Sequence, residues 1–438
     1  MIQTIDLRGE VLTPHRLAAA VPRAAVDVAK AVESAAQLIE DVRASGMVAL
    51  IEQARKFDGA NPVHLRVPAA DIASAVEQLE PEVREALEEA IRRVRAATSA
   101  QLPAEQVTEI GPGASIRQRW QPVGRVGLYV PGGKAVYPSS VVMNVVPAQT
   151  AGVASIAIAS PAQREFGGAV HPTILGAAGL LGIEEIYAIG GAGAIAALAY
   201  GVPELDLDPV DVITGPGNVY VAAAKRLVRG VVAIDAEAGP TEILVIADSS
   251  ADPALIAADL VSQAEHDENA AALLVTDSVD LAEAVERDLE ARAGLTKHAD
   301  RVRVALGSQQ SAIVLVDDLA AAAAFSNAYG PEHLEIQTAD DQGVLASITN
   351  AGAIFLGPDS PVSLGDYLAG SNHVLPTGGQ SRFTAGLGAT AFLRSQQIVE
   401  YTRAGLEEVR ERIVSLANAE DLPAHGEAVL ARFDGHTP

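Results

Sequence analysis

From Gly124 onward the chain repeats one pattern: a short apolar run, a turn rich in glycine, then a helix rich in alanine. RVGLYVPGG, ASIAIASP, EEIYAIGG, DVITGPGN and VVAIDAEAGPTEILVIAD each read as a strand running into a turn or loop. Strands apolar on both faces belong to sheets covered on both sides, and strand–helix alternation calls for parallel pairing. A second round follows. Asp252–Pro253 forms a cap and first-turn pair opening a helix through ALIAADLVSQAEHD, and AALLVT, AIVLVDD and GAIFLG read as further strands. The first 110 or so residues are helix-rich, with Glu80 to Ala100 reading as an exposed amphipathic helix that has Pro81 near its start. The last 50 or so residues read as helical, without a sheet signal. The expected fold is α/β: two Rossmann-like, incomplete, doubly wound domains, one inserted in the other, with small helical N- and C-terminal extensions. The expected boundaries are 1–29 for the N-terminal extension and 30–128 plus 242–384 for a discontinuous first domain. The second domain is expected at 129–241 and a helical tail at 385–438.

Charge narrows the function classes. The 438 residues carry 56 acidic and 31 basic side chains, a formal net charge of −25, and no cysteine. Such a field repels phosphate backbones and anionic headgroups, so neither nucleic acid nor a membrane surface is an expected partner. Without thiols there is no disulfide framework and no iron–sulfur cluster, so any metal must be held by histidine, carboxylate or amide. The N-terminus carries Asp6, Arg8 and Glu10 and no apolar core of a signal peptide. Two uncharged stretches, Ala135 to Gln163 and Ile186 to Pro203, are interrupted by prolines, polar residues and glycines, and read as buried strand–turn–helix units. A cytoplasmic protein is expected.

Several motifs bear chemistry, each with a plainer reading beside it. Gly191-Ala-Gly193-Ala-Ile-Ala196 fits a GxGxxA phosphate turn after a strand, but close helix packing needs the same small residues, and no acidic residue follows at the right distance. GPGN, Gly215 to Asn218, lies between a strand and the helix VYVAAAKRLV, where free backbone N–H groups can face a phosphate; an ordinary tight turn would look the same. Lys134, one of five lysines, interrupts an uncharged loop. His171 before Pro172 reads as a helix cap. Gln263 and His266 are spaced to project from one helix face, and with Asp366 and His425 they form a thiolate-free donor set suited to zinc. Glu332–His333, after the turn Gly330–Pro331, is an acid–base pair or else a capping Glu and a surface His at a helix start.

Taken in order, VGLYVPGGKAVYPSSVVMN, ITGPGNVYVAAAKR, IDAEAGPTE, SQAEHDENA, YGPEHLEI, SPVSLGDYLAGSNHVLPT and AEDLPAHGEAV resemble the histidinol dehydrogenase family over essentially the whole chain. The resemblance implies a zinc- and NAD-dependent enzyme that oxidises L-histidinol to L-histidine through L-histidinaldehyde, the last two steps of histidine biosynthesis. It implies Gln263, His266, Asp366 and His425 as ligands of one zinc ion per subunit, and Glu332 and His333 as the catalytic proton-transfer pair. Thr241, His373 and Glu420 would join the zinc ligands and His333 around the substrate, Thr241 standing where many relatives carry serine. Tyr129 and Asn218 would contact NAD⁺ from the 129–241 domain. A further cofactor position, usually glutamine, is Gly193 here, which puts a side-chain contact there in question. The family forms homodimers whose C-terminal segment reaches the partner's site, so Glu420 and His425 would act across the interface.

Three other readings are separable. A related zinc- and NAD-dependent dehydrogenase of another small amino- or sulfo-alcohol would share the fold. A metallohydrolase using Glu332 would need no NAD⁺ and would leave GPGN unexplained. A non-catalytic dinucleotide-binding protein would leave the clustered histidines without a task.

Overall fold

A computed structural model describes residues 2–24, 28–132 and 136–433. Lys134 and His436 lie outside the described residues. In chain order the strands are β1 (Gln3–Asp6), β2 (Gln106–Gly111), β3 (Ala114–Pro122), β4 (Arg125–Tyr129), β5 (Ser155–Ser160), β6 (Ile186–Ala188) and β7 (Val212–Thr214). Then come β8 (Ala233–Ile234), β9 (Glu242–Ala247), β10 (Ala271–Thr276), β11 (Ala312–Leu315), β12 (His333–Gln337), β13 (Ala353–Leu356) and β14 (Leu393–Tyr401).

Two compact units are present. The first comprises Met1–Gln101 and Val123–Phe392, the second Leu102–Pro122 and Leu393–Pro438. The first unit holds two parallel sheets. One has the order β6-β5-β4-β7-β8, the other β1-β11-β10-β9-β12-β13. Numbered within its own sheet, each core is 3-2-1-4-5, the doubly wound order, so two Rossmann-like sheets are present as expected. The chain supplies β1 to the six-stranded sheet, builds the five-stranded one with β4 to β8, and returns with β9. All six residues of β9 and of β10 are buried, which is why their sequences, EILVIA and AALLVT, are almost continuously apolar.

The helix Val28–Gln53, broken by non-helical backbone at Gly46, packs Ala35, Ile39 and Leu50 into one core with Ile195, Leu198, Val221 and Ala224 of the five-stranded sheet's helices. The sequence groups residues 30–128 with 242–384; in the structure these N-terminal helices cover the other sheet. Pro81–Ser99 buries Leu87, Ala90, Val94 and Thr98, a 3-4-4 spacing that puts one stripe inward and leaves the charges outside. No helix among the described residues is long and apolar enough to cross a membrane.

The second unit is a three-stranded antiparallel sheet, β14-β3-β2, with the helices Arg403–Ala419 and Pro423–Leu430. This corrects the expectation of an all-helical tail. β14, LRSQQIVEY, has no clean alternation of buried and exposed residues, so the period-2 signal of a half-buried strand is missing.

Candidate active site

At the five-stranded sheet, the winding reverses between β4 and β7, and the loops leaving the C-terminal ends of those strands border the crevice where such sheets take ligands. Tyr129 ends β4 and is buried. Its phenol oxygen accepts the Gly191 N–H at 3.2 Å, and burial pushes its pKa up to about 12. After β7, Gly215 adopts φ +115°, and a Cβ there would strike the Tyr129 carbonyl, so only glycine fits. Asn218 caps the helix Val219–Val228, its Oδ1 accepting from Tyr220 N at 3.0 Å and Val221 N at 3.2 Å. The amide Nδ2 is then the end of Asn218 suited to a ligand. Tyr129 and Asn218 therefore reach the same edge. Gly193 faces the other way: a Cβ on it would meet the Gln53 amide and Leu50 of the helix Val28–Gln53. The GxGxxA glycine thus serves helix–helix packing, the plainer of its two readings. His171 also keeps its plain role, its Nδ1 accepting from Thr173 N at 3.2 Å.

The other chemistry gathers at the N-terminal edge of the six-stranded sheet. Thr241 immediately precedes β9, Glu332 precedes β12 and His333 opens it, pairing in register with Ile243. Glu332 and His333 are only 6% and 5% exposed, so a capping Glu and surface His at a helix start are ruled out. Glu332 Oε2 accepts from Thr241 Oγ1 at 2.6 Å and from Glu242 N at 2.9 Å. Burial outweighs both bonds and pushes the carboxyl up to about 8, with the charge of Asp366 adding to the rise. His333 Nδ1 donates to the Glu242 carbonyl at 3.0 Å, which fixes the tautomer and leaves Nε2 as the basic nitrogen. Burial also lowers the His333 pKa, so the ring stays neutral.

Gln263 belongs to the helix Pro253–Ala264, capped by Asp252, and its Nε2 donates to Thr241 Oγ1 at 2.6 Å. The helix ends before His266. A single 3.3 Å bond from His266 N to the Gln263 carbonyl still keeps the two residues one turn apart. Asp366 lies in the helix Val362–Tyr367, and its Oδ2 is 3.9 Å from His266 Nε2. That is too long for a hydrogen bond, yet close to the separation of two donors sharing an ion, about 3–4 Å for zinc ligands at about 2.0–2.2 Å. Burial lowers the His266 pKa, favouring the neutral ring a metal requires, and raises that of Asp366, a cost that a bound cation would offset. His373 Nδ1 donates to the Asp366 carbonyl at 3.0 Å, while Ser140 Oγ donates to its Nε2 at 3.2 Å. Burial takes the His373 ring down to about 4.

The first unit thus gathers Thr241, Gln263, His266, Glu332, His333, Asp366 and His373. Among the described residues no group of three or more His, Asp or Glu is arranged to hold an ion. Of the four expected donors this unit holds Gln263, His266 and Asp366, a set chemically suited to zinc but short of a closed shell. Glu420 and His425 belong to the second unit. Glu420 caps the helix Arg403–Ala419, His425 lies in the helix Pro423–Leu430, and both are exposed.

Two participants escaped sequence reasoning. Glu242 is buried, its Oε1 bound by Arg23 Nη1 at 2.5 Å and by Gly378 N at 3.3 Å. Burial pushes it up to about 7, against Arg23, with Glu332 adding to the rise. The available signal was a lone carboxylate heading an apolar strand. Ser140, which orients His373, carried no signal beyond its place near a helix start.

The family model for histidinol dehydrogenase matches residues 21–433. The histidinol dehydrogenase of Leifsonia xyli subsp. xyli is 69% identical over 433 residues, covering 99% of this chain and 99% of that protein. That of Nocardia farcinica is 57% identical, covering 98% and 97%. The crystal structure of histidinol dehydrogenase from Elizabethkingia anophelis superposes with a TM-score of 0.91 at 33% identity, covering 99% of this chain and 98% of that one.

Proposed function

The chain belongs to the histidinol dehydrogenase family, an oxidoreductase family, and from that premise we propose that it oxidises L-histidinol to L-histidine through L-histidinaldehyde, using zinc and two NAD⁺. The observation that carries this reading is the buried Glu332–His333 pair, held by Thr241 and Glu242 beside His266 and Asp366. When bound, zinc would anchor the non-reacting end of the substrate, and NAD⁺ would accept hydride from the carbinol carbon.

The protein's own groups supply the proton chemistry. His333, neutral and with Nε2 free of the bond that fixes Nδ1, takes the proton of the substrate hydroxyl. Glu332, once ionised, takes a proton from the water that attacks the aldehyde. Thr241 holds Glu332 and Gln263 in one chain of hydrogen bonds, so the base and a metal donor are positioned together. Gln263, His266 and Asp366 would hold the metal, joined by His425 of a partner copy in a homodimer. Glu420 of that copy and His373 would bind the substrate's polar groups. Tyr129 and Asn218 would bind the dinucleotide at the five-stranded sheet. The field of a chain with net charge −25 suits a cationic or zwitterionic substrate.

The test is stoichiometry. Purified protein, L-histidinol and NAD⁺ should yield two NADH per histidinol, and a chelator should abolish the reaction. Absence of turnover with the metal fully loaded defeats the assignment, and turnover of another amino-alcohol at a higher kcat/KM would shift the substrate within the same chemistry.

A further inference from the structure

A lysine seven residues past a GPGN turn invites reading as a phosphate-binding cation. The structure turns it inward. Lys225, on the helix capped by Asn218, is 1% exposed; its Nζ donates to the Gly215 carbonyl at 3.0 Å and forms a very short ion pair with Asp235 Oδ1. Asp235 Oδ2 accepts the Gly215 N–H at 2.8 Å, and its Oδ1 accepts Ala236 N at 2.7 Å. Both backbone groups of Gly215 are thus tied to one buried ion pair, at the residue whose φ of +115° starts the loop and packs it against Tyr129.

We propose that Lys225 and Asp235 are positioning residues for the dinucleotide, holding the Gly215–Asn218 loop in its binding shape before the cofactor arrives. The proposal rests on reading this edge as the NAD⁺ site. A buried ion pair is a weak source of stability, since an apolar pair of similar volume often does as well, so its placement needs another reason. The pair is also neutral overall and its ammonium is spent on Gly215 and Asp235. Lys225 therefore acts through backbone, leaving the loop N–H groups and Asn218 to meet the ligand. Asp235 also directly follows β8, so the pair ties the Gly215 loop to the end of the neighbouring strand.

The informative variant is the double substitution Lys225→Met/Asp235→Leu, which fills the site with apolar volume. Its melting temperature should fall by several degrees, because the Gly215 and Ala236 backbone groups lose their partners, while the protein stays folded. NAD⁺ titrated by calorimetry should bind at least tenfold more weakly, with zinc content and the KM for histidinol changed less than twofold. NAD⁺ affinity within twofold of wild type would overturn the proposal, as would a loss shared equally by zinc, histidinol and NAD⁺. Should the variant not fold, amide exchange in the wild-type protein decides the matter. The Gly215 N–H should be protected before NAD⁺ is added; fast exchange that slows only with NAD⁺ would overturn preorganisation. Wild type that neither binds NAD⁺ nor forms NADH would instead defeat the reading of this edge as a dinucleotide site.

Discussion

At Glu332, burial outweighs two hydrogen bonds that favour the carboxylate, so the group keeps its proton up to a pH of about 8. A general base must first lose that proton. The rate of the aldehyde step is therefore expected to climb as pH passes about 8, and Glu332→Gln should remove that limb while retaining zinc; pH–rate profiles with L-histidinaldehyde as substrate measure this. The same shift has a sign for stability. A carboxyl raised from 4.5 to about 8 stabilises the fold in its protonated form below 4.5, and that contribution drains away as pH rises through about 8. Thermal denaturation of metal-free wild type against Glu332→Gln should show the difference moving toward the variant across that window. At His333 the opposite shift leaves a neutral base through neutral pH. His333→Ala should lower kcat by about 10²–10⁴ with zinc content preserved, whereas Asp366→Ala should lose zinc; steady-state rates and metal analysis on the same preparations separate the two.

Elements decide where these residues meet. In a doubly wound sheet ligands are expected beyond the C-terminal ends of the strands, and the proposed dinucleotide edge at Tyr129 and Asn218 lies there. Thr241, Glu332 and His333 do not: they stand at the N-terminal ends of β9 and β12. Short local patterns misled at this edge. Glu332–His333 follows a Gly–Pro turn and looks like a helix start, but HLEIQ is a fully buried strand whose polar residues, His333, Glu335 and Gln337, share one face. Loop geometry is equally demanding on the other edge. Gly215→Ala must abandon φ +115° or collide with the Tyr129 carbonyl. It should cost about 1–3 kcal/mol in denaturant melts and weaken NAD⁺ binding by calorimetry.

At the scale of the whole molecule, the two compact units divide the expected site residues between them, with Glu420 and His425 in the unit that carries β14. The proposed homodimer makes a sharp prediction. His333→Ala and His425→Ala chains, each inactive alone, should on subunit exchange regain about a quarter of wild-type activity, because a random half of the dimers would each rebuild one of two sites. No recovery after exchange is demonstrated by mass spectrometry would defeat the shared site. Metal should also act on the fold: a chelator is expected to lower Tm, and zinc to restore it, because a ligand of the native state alone stabilises that state by mass action.

Fold class and family are legible in the amino-acid sequence alone. Continuous apolar runs closed by glycine turns admit little but parallel α/β sheets, and the absence of cysteine restricted any metal to residues such as Gln263, His266, Asp366 and His425. Capping at Asp252 and His171 was equally legible, because a cap depends on neighbours two or three residues away. Folding supplied the contacts between distant segments. It packed Gly193 against Gln53 and turned Lys225 inward to Asp235. It set Glu242 between Arg23 and the Glu332–His333 pair, and it put Ser140 on His373. Desolvation and hydrogen bonding across 90 residues or more set those proton affinities, and neither quantity exists until the chain has folded.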